Sequence, residues 1–150
     1  MNNEVWPSPL MEIKLNIDGS LDNSSKRGAV GGVFRNTEEN WFLGFSAHIN
    51  VNSAFEAEIL ALVMGLNLAI KMKVTQLAIA TDFKKLAMTL NEYGITERDT
   101  DEINLISIYR DLVEQMRNPP VHHEKWSMNV IADMLAKEGN KLKSDCFWKE

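Results

Sequence analysis

Residues 12–19 read E-I-K-L-N-I-D-G, with Ile13, Leu15 and Ile17 on one side of an alternating pattern and Glu12, Lys14, Asn16 and Asp18 on the other. A period of two marks a strand with one buried face. The run stops at Asp18-Gly19, a pair that suits a turn, and the turn-rich S-L-D-N-S-S-K-R-G continues it. A second strand, A-V-G-G-V-F-R, follows; its Gly31 and Gly32 imply either a bulge or the close approach of another backbone. N-T-E-E-N makes a hairpin loop and W-F-L-G-F-S-A-H-I returns as a third strand. Short connections between three such strands predict an antiparallel meander.

Beyond Val51 the period changes. Ser53 and Glu56 in S-A-F-E form a capping box ahead of a helix from Phe55 to Lys73, with Leu62, Leu66, Ala69 and Ile70 as its buried stripe. Q-L-A-I-A-T-D is a short apolar strand ending at Asp82. Phe83, Leu86, Ala87 and Leu90 mark a second helix that stops near Gly94. Ile103, Ile106, Tyr109, Val113 and Met116 mark a third, stopped by Asn118-Pro119-Pro120. V-H-H-E-K-W predicts a last strand, and N-V-I-A-D-M-L-A-K-E-G-N-K-L a last helix capped by Asn129. The order βββ-α-β-α-α-β-α predicts an α/β fold, in which three antiparallel strands and two parallel additions make one mixed five-stranded sheet flanked by helices. One domain is expected over 1–150, with a core of about 10–142, an extended lead-in at 1–9 and a tail at 143–150 that carries no pattern. No repeat or low-complexity tract interrupts it.

Composition narrows the function classes. With 45% apolar and 25% charged residues the chain is globular in type. The longest apolar run, Ile59 to Ile70, is broken by Gly65 and Asn67, so no membrane span is expected. The first residues lack the basic-then-apolar layout of a secretory signal. The lone Cys146 excludes an internal disulfide and a cysteine-cluster zinc site. An intracellular location is expected, nuclear or cytoplasmic. The net charge of −5 disfavours a nucleic-acid coat protein but not an enzyme that meets nucleic acid on one small face.

Four acids fall where elements change. Asp18 and Asp82 end strands, and ligands in open α/β sheets gather outside such carboxyl ends. Glu58 sits amid apolar neighbours in A-E-I-L-A-L and Asp133 amid those of I-A-D-M-L-A. Burying unpaired charge is costly, and convergence on Mg²⁺ or Mn²⁺, which prefer oxygen ligands, relieves that cost. Singly, each has another reading: Asp82 as a helix cap, Glu58 and Asp133 as partners of helix dipoles, Asp18-Gly19 as a plain turn.

Taken together, these motifs resemble the type 1 ribonuclease H family, and within it the plant domains related to the retroelement ribonuclease H domain. The resemblance runs over about residues 6 to 140. W-P-S-P followed by K-L-N-I-D-G-S is similar to the family's lead-in and first strand, and G-A-V-G-G-V-F-R-N-T-E-E-N-W to its glycine-rich second strand and hairpin. S-A-F-E-A-E-I-L-A-L looks like the helix bearing the catalytic glutamate, at Glu58 rather than Glu56. I-A-T-D and N-V-I-A-D-M-L-A-K match the segments carrying the third and fourth acids, Asp82 and Asp133.

That resemblance implies an endonuclease that hydrolyses the RNA strand of RNA–DNA hybrids with two Mg²⁺ or Mn²⁺ ions. Asp18 is then the ligand shared by both metals, Glu58 and Asp82 flank one, and Asp133 completes the other. One ion activates a water and the other stabilises the leaving 3′ oxygen. RNA is selected through its 2′-hydroxyls across the minor groove. His123 stands as far before the last aspartate as the family's mobile histidine, which assists proton transfer or product release. A surface histidine beside His122 is the other reading, and His48 reads as structural. The expected partner is the hybrid, bound by a monomer or by part of a longer polypeptide.

The chain departs from the family in three places: W-S-M-N stands where R-E-A-N is common, Phe83 follows the third acid in place of serine, and no basic protrusion follows Asp82. Lys26-Arg27 and Lys84-Lys85 are too small to replace that protrusion. These departures keep open a non-catalytic module that binds nucleic acid or protein, whereas four mutually repelling acids favour the enzyme. A transposase or integrase core shares the fold type, but K-L-N-I-D-G-S and N-V-I-A-D-M-L-A-K are closer to ribonuclease H.

Overall fold

The computed structural model describes residues 12–22, 24–38, 40–84, 86–87, 100–125, 129–139 and 146–149. Strands β1 (Glu12–Asp22), β2 (Arg27–Arg35) and β3 (Trp41–Asn50) form the antiparallel meander. Helix α1 (Ala54–Lys71) leads to β4 (Gln76–Thr81), and α2 (Thr100–Gln115) to β5 (Val121–His123). Helix α3 (Val130–Gly139) and β6 (Cys146–Lys149) complete the order. The sheet runs β5-β4-β1-β2-β3-β6, with β4 parallel to β1 and to β5. This is the mixed sheet expected from the sequence, extended by a sixth strand: β6 pairs antiparallel with β3, within a tail whose composition carried no periodicity.

Alternation along the strands separates two faces. Leu15, Ile17, Val30, Phe34, Phe45 and Ala47 pack into the main core, where α1 contributes Ile59, Leu62 and Leu66 and α2 contributes Ile106, Tyr109 and Val113. The other face is crossed by α3, which spans β1, β2 and β3. Ser53 caps α1 by accepting the Glu56 N–H at 3.0 Å, as the capping box predicts. At the far end of α2, Arg117 and Asn118 take positive φ of 61° and 52°, and the Asn118 N–H closes on the Val113 carbonyl at 2.7 Å. Among the described residues no helix is long and apolar enough to cross a membrane.

Two local expectations are corrected. β1 does not stop at Asp18-Gly19; it pairs with β2 as far as Asp22 opposite Arg27, so Asp18 lies within the strand and the turn falls beyond Asp22. Gly19 is small for packing rather than for turning: a Cβ there would lie 2.6 Å from the Ala57 carbonyl carbon of α1. Of the two readings of Gly31-Gly32, the close backbone approach holds, and the bulge falls between Phe34 and Arg35. At Gly31 a Cβ would meet the Ala136 nitrogen at 2.3 Å, so α3 rests backbone against backbone on β2. β5 is also shorter than V-H-H-E-K-W suggests. The helix expected from Phe83 to Gly94 lies mostly outside the described residues, as do Lys85 and Trp126, Ser127 and Met128.

Candidate metal centre

The parallel pairing of β1 with β4 brings two acids to one place. Ile17 is opposite Thr81, so Asp18, the next residue of β1, stands beside Asp82, which directly follows β4. Because Gly19 lets α1 approach β1, Glu58 reaches the same point from the helix. Its carboxylate is strapped to both strands: Oε1 accepts the Gly19 N–H at 2.9 Å and Oε2 accepts the Thr81 hydroxyl at 3.2 Å. Oxygens of Asp18, Glu58 and Asp82 lie within 4.8 Å of one another. Asp18 is 6% exposed and Glu58 2%, so bulk water screens this crowding little.

The electrostatics follow. Burial, and then the Glu58 carboxylate, push Asp18 up to about 10. Burial pushes Glu58 up to about 7, against the lowering effect of hydrogen bonds from Asp18 and Gly19. Asp82 is raised by burial and by the charge of Asp133, while His123 and Asn129 pull it down. Three carboxyls therefore meet where they cannot all ionise without added positive charge. An all-oxygen, anionic donor set that resists ionising alone suits one or more hard divalent cations.

Asp133 stands beside this trio. Its side chain hydrogen-bonds Asp18, Lys137 holds it at 3.0 Å from the next turn, and its N–H donates to the Asn129 carbonyl at 3.1 Å. The structure thus gathers Asp18, Glu58 and Asp82 in one cluster with Asp133 at its margin. His123 is exposed at the end of β5, close enough for its charge to be felt by Asp82, and His122 is exposed beside it. His48 sits half-buried in β3, opposite Ala29. The Phe83 N–H donates to the Thr81 hydroxyl at 3.0 Å. Phe83 itself packs edge-on against Phe55 at 6.2 Å, which makes it part of the wall under α1.

Reasoning from the sequence missed a set of polar residues beneath the acids. Asn16, only 1% exposed, joins Glu124 and Asn129. Its alternation in β1 reads as solvent-facing, but Asn16 shares the face of Asp18, and that shared face was the available signal.

The model of the reverse transcriptase-like family matches residues 16–139. Among curated proteins none matches the chain. Among solved structures, RNase H1 of the halophilic archaeon Halobacterium salinarum superposes with a TM-score of 0.78 at 20% identity, over 87% of this chain and 98% of that one. The N-terminal RNase H domain of a Mycobacterium tuberculosis protein gives 0.79 at 20% identity, over 87% and 94%. LC11-RNase H1, in complex with an RNA/DNA hybrid, gives 0.75 at 19% identity, over 87% and 97%. The fold is therefore shared with ribonucleases H.

Proposed function

Because the chain belongs to the reverse transcriptase-like family, we propose that it is a metal-dependent endonuclease that hydrolyses the RNA strand of RNA–DNA hybrids. The observation that carries this reading is the convergence of Asp18, Glu58 and Asp82 to within 4.8 Å, just past the point where the parallel pairing of β1 with β4 ends. A fold that only binds has no use for carboxylates so crowded that burial and mutual repulsion oppose their charge.

In this reading Asp18, Glu58 and Asp82 would hold one Mg²⁺ or Mn²⁺ ion, and Asp18 with Asp133 would hold a second. When bound, the two ions supply the positive charge that activates water and offsets charge on the scissile phosphate. The protein's own contribution is alignment. Glu58 is fixed by Gly19 and Thr81, and Asp133 by Lys137 and the first turn of α3, so the acids are set before substrate arrives. His123, exposed beside Asp82, can pass a proton from its imidazole ring to the departing 3′ oxygen, which leaves as the 3′-hydroxyl. Discrimination of RNA from DNA rests on contacts to 2′-hydroxyls.

The test is incubation of purified protein with a labelled RNA–DNA hybrid in Mn²⁺, alongside Asp18→Asn. Metal-dependent cleavage of the RNA strand that disappears in the variant supports the reading. Hybrid binding without cleavage in wild type replaces it with the non-catalytic module.

A further inference from the structure

The acids and His123 come from separate segments, and a partly buried chain of polar side chains ties those segments together. Asn16 lies in β1, two residues before Asp18. Its Nδ2 donates to Glu124 Oε1 at 3.2 Å and to Asn129 Oδ1 at 3.0 Å. Glu124 directly follows His123; Lys14 Nζ donates to its Oε2 and forms an ion pair with it. The Glu124 N–H donates to the carbonyl of Thr81, the residue before Asp82, at 2.8 Å. Asn129, fully buried at the entry to α3, passes its own Nδ2 to the Ile17 carbonyl at 2.8 Å. One asparagine thus links the strand of Asp18, the segment of His123 and the helix start that precedes Asp133.

We propose that the Asn16–Glu124 tie is a positioning device, with Glu124 setting His123 and the start of α3 against β1. The physical case concerns the donors of Asn16, whose Oδ1 is buried with no partner among the described residues. Asn16 is buried, so both of its N–H groups need acceptors, and those acceptors come from the two segments that must be placed. Removing the Glu124 carboxylate orphans one buried donor and frees Lys14, and the segment after β5 then loses its side-chain anchor to β1. Lys14 and Glu124 are 28% and 21% exposed, so the pair is partly screened; its value lies in geometry more than in stability. Reacting groups misplaced by about 1 Å can lose up to about a hundredfold in rate.

This inference rests on the catalytic reading, and the experiment separates the two. Wild type, Glu124→Ala, Glu124→Gln and Lys14→Met are compared in steady-state cleavage of a labelled hybrid at saturating Mn²⁺. Backbone amide NMR of the metal-free proteins is recorded at His123 and Asp133. Circular dichroism and a retained Mn²⁺ thermal shift verify folding and the acid cluster. Glu124→Ala should lose about ten- to a hundredfold in kcat with KM nearly unchanged. Glu124→Gln should recover most of that, because its amide oxygen still accepts from Asn16, and Lys14→Met should fall between. The amides of His123 and of the distant Asp133 should shift in Glu124→Ala and return in Glu124→Gln. Wild-type kcat in Glu124→Ala, or equal losses in the Ala and Gln variants, overturns the tie. If wild type itself does not cleave, the enzyme reading fails while the tie is decided by the two amides: unmoved resonances overturn it, and displacement rescued by Gln upholds it.

Discussion

Replacing Asp18 by asparagine should stabilise the metal-free protein while abolishing its response to metal, an unusual pair of signs for a buried residue. The Asp18 carboxyl, ordinarily near 3.8, is pushed up to about 10 by burial and by Glu58. At about 1.4 kcal/mol per unit, the interval from 3.8 to pH 7 caps the resulting burden at about 4 kcal/mol. Glu58 shares the same proton, so its burden overlaps that of Asp18 rather than adding to it. Asparagine keeps the volume but leaves an amide to satisfy, which returns about 1–3 kcal/mol of cost. A net gain of at most about 1–3 kcal/mol remains, worth about 2–12 °C in Tm for a domain of this length.

The pH dependence fixes the cause. An acid raised in the folded state binds more protons there than in the unfolded chain, so its contribution is nil below about pH 4 and increasingly destabilising as pH rises toward 10. The Tm advantage of Asp18→Asn in EDTA should therefore be small at pH 5, clear at pH 7 and larger at pH 8.5. Millimolar Mn²⁺ should raise the wild-type Tm, because a ligand that binds only the native state stabilises it, and should leave the variant unmoved. Differential scanning fluorimetry on both proteins, with and without metal, measures all of this. A variant that melts below wild type in EDTA at every pH, or that keeps the full Mn²⁺ shift, would falsify the electrostatic account of the cluster.

Cleavage should leave 5′-phosphate and 3′-hydroxyl ends on RNA in hybrid while sparing duplex DNA and single-stranded RNA, and end-labelling reads this directly; 2′,3′-cyclic ends would point to attack by the RNA's own hydroxyl. Asp82→Asn should lose nearly all turnover, whereas His123→Ala should cost about a hundredfold or less and keep the Mn²⁺ thermal shift; equal losses in initial rate would dissolve the distinction between ligand and proton carrier. Gly31→Ala, which drives a Cβ to 2.3 Å from the Ala136 nitrogen, should cost about 3 kcal/mol or more through overpacking, seen as a fall in urea midpoint; an unchanged midpoint would mean that α3 can lift off β2 freely.

The readable parts of this chain are those governed by short-range periodicity. Ile13, Leu15 and Ile17 declare a strand, Ser53 and Glu56 declare the start of α1, and Asn118-Pro119-Pro120 declares the end of α2, because alternation, capping and missing donors act within a few residues. Asp18, Glu58 and Asp82, which the fold brings together, were legible through the motifs that carry them, K-L-N-I-D-G-S, A-E-I-L-A-L and I-A-T-D. What escaped was set by contacts between segments distant in sequence. Asp18-Gly19 has the local chemistry of a turn, yet the strand runs through it, because the demand on Gly19 comes from Ala57 on α1. β6 is recruited by the free edge of β3, a partner that no pattern within C-F-W-K can announce.

The same division explains why the acids could be found and their support could not. A carboxylate in an apolar segment is conspicuous because its own neighbours in sequence make it costly. Asn16 is not conspicuous: in a strand that alternates, a polar residue beside Lys14 and Asp18 fits the solvent side, and only the arrival of α3 and of the segment after β5 turns that side inward. Once inside, its two N–H groups select partners by reach, taking Glu124 from one segment and Asn129 from another. A residue whose neighbours in sequence predict exposure, and whose partners in space require burial, is therefore where to look for the parts of a site that hold others in register, and in this chain that residue stands two positions ahead of the acid on which the proposed chemistry turns.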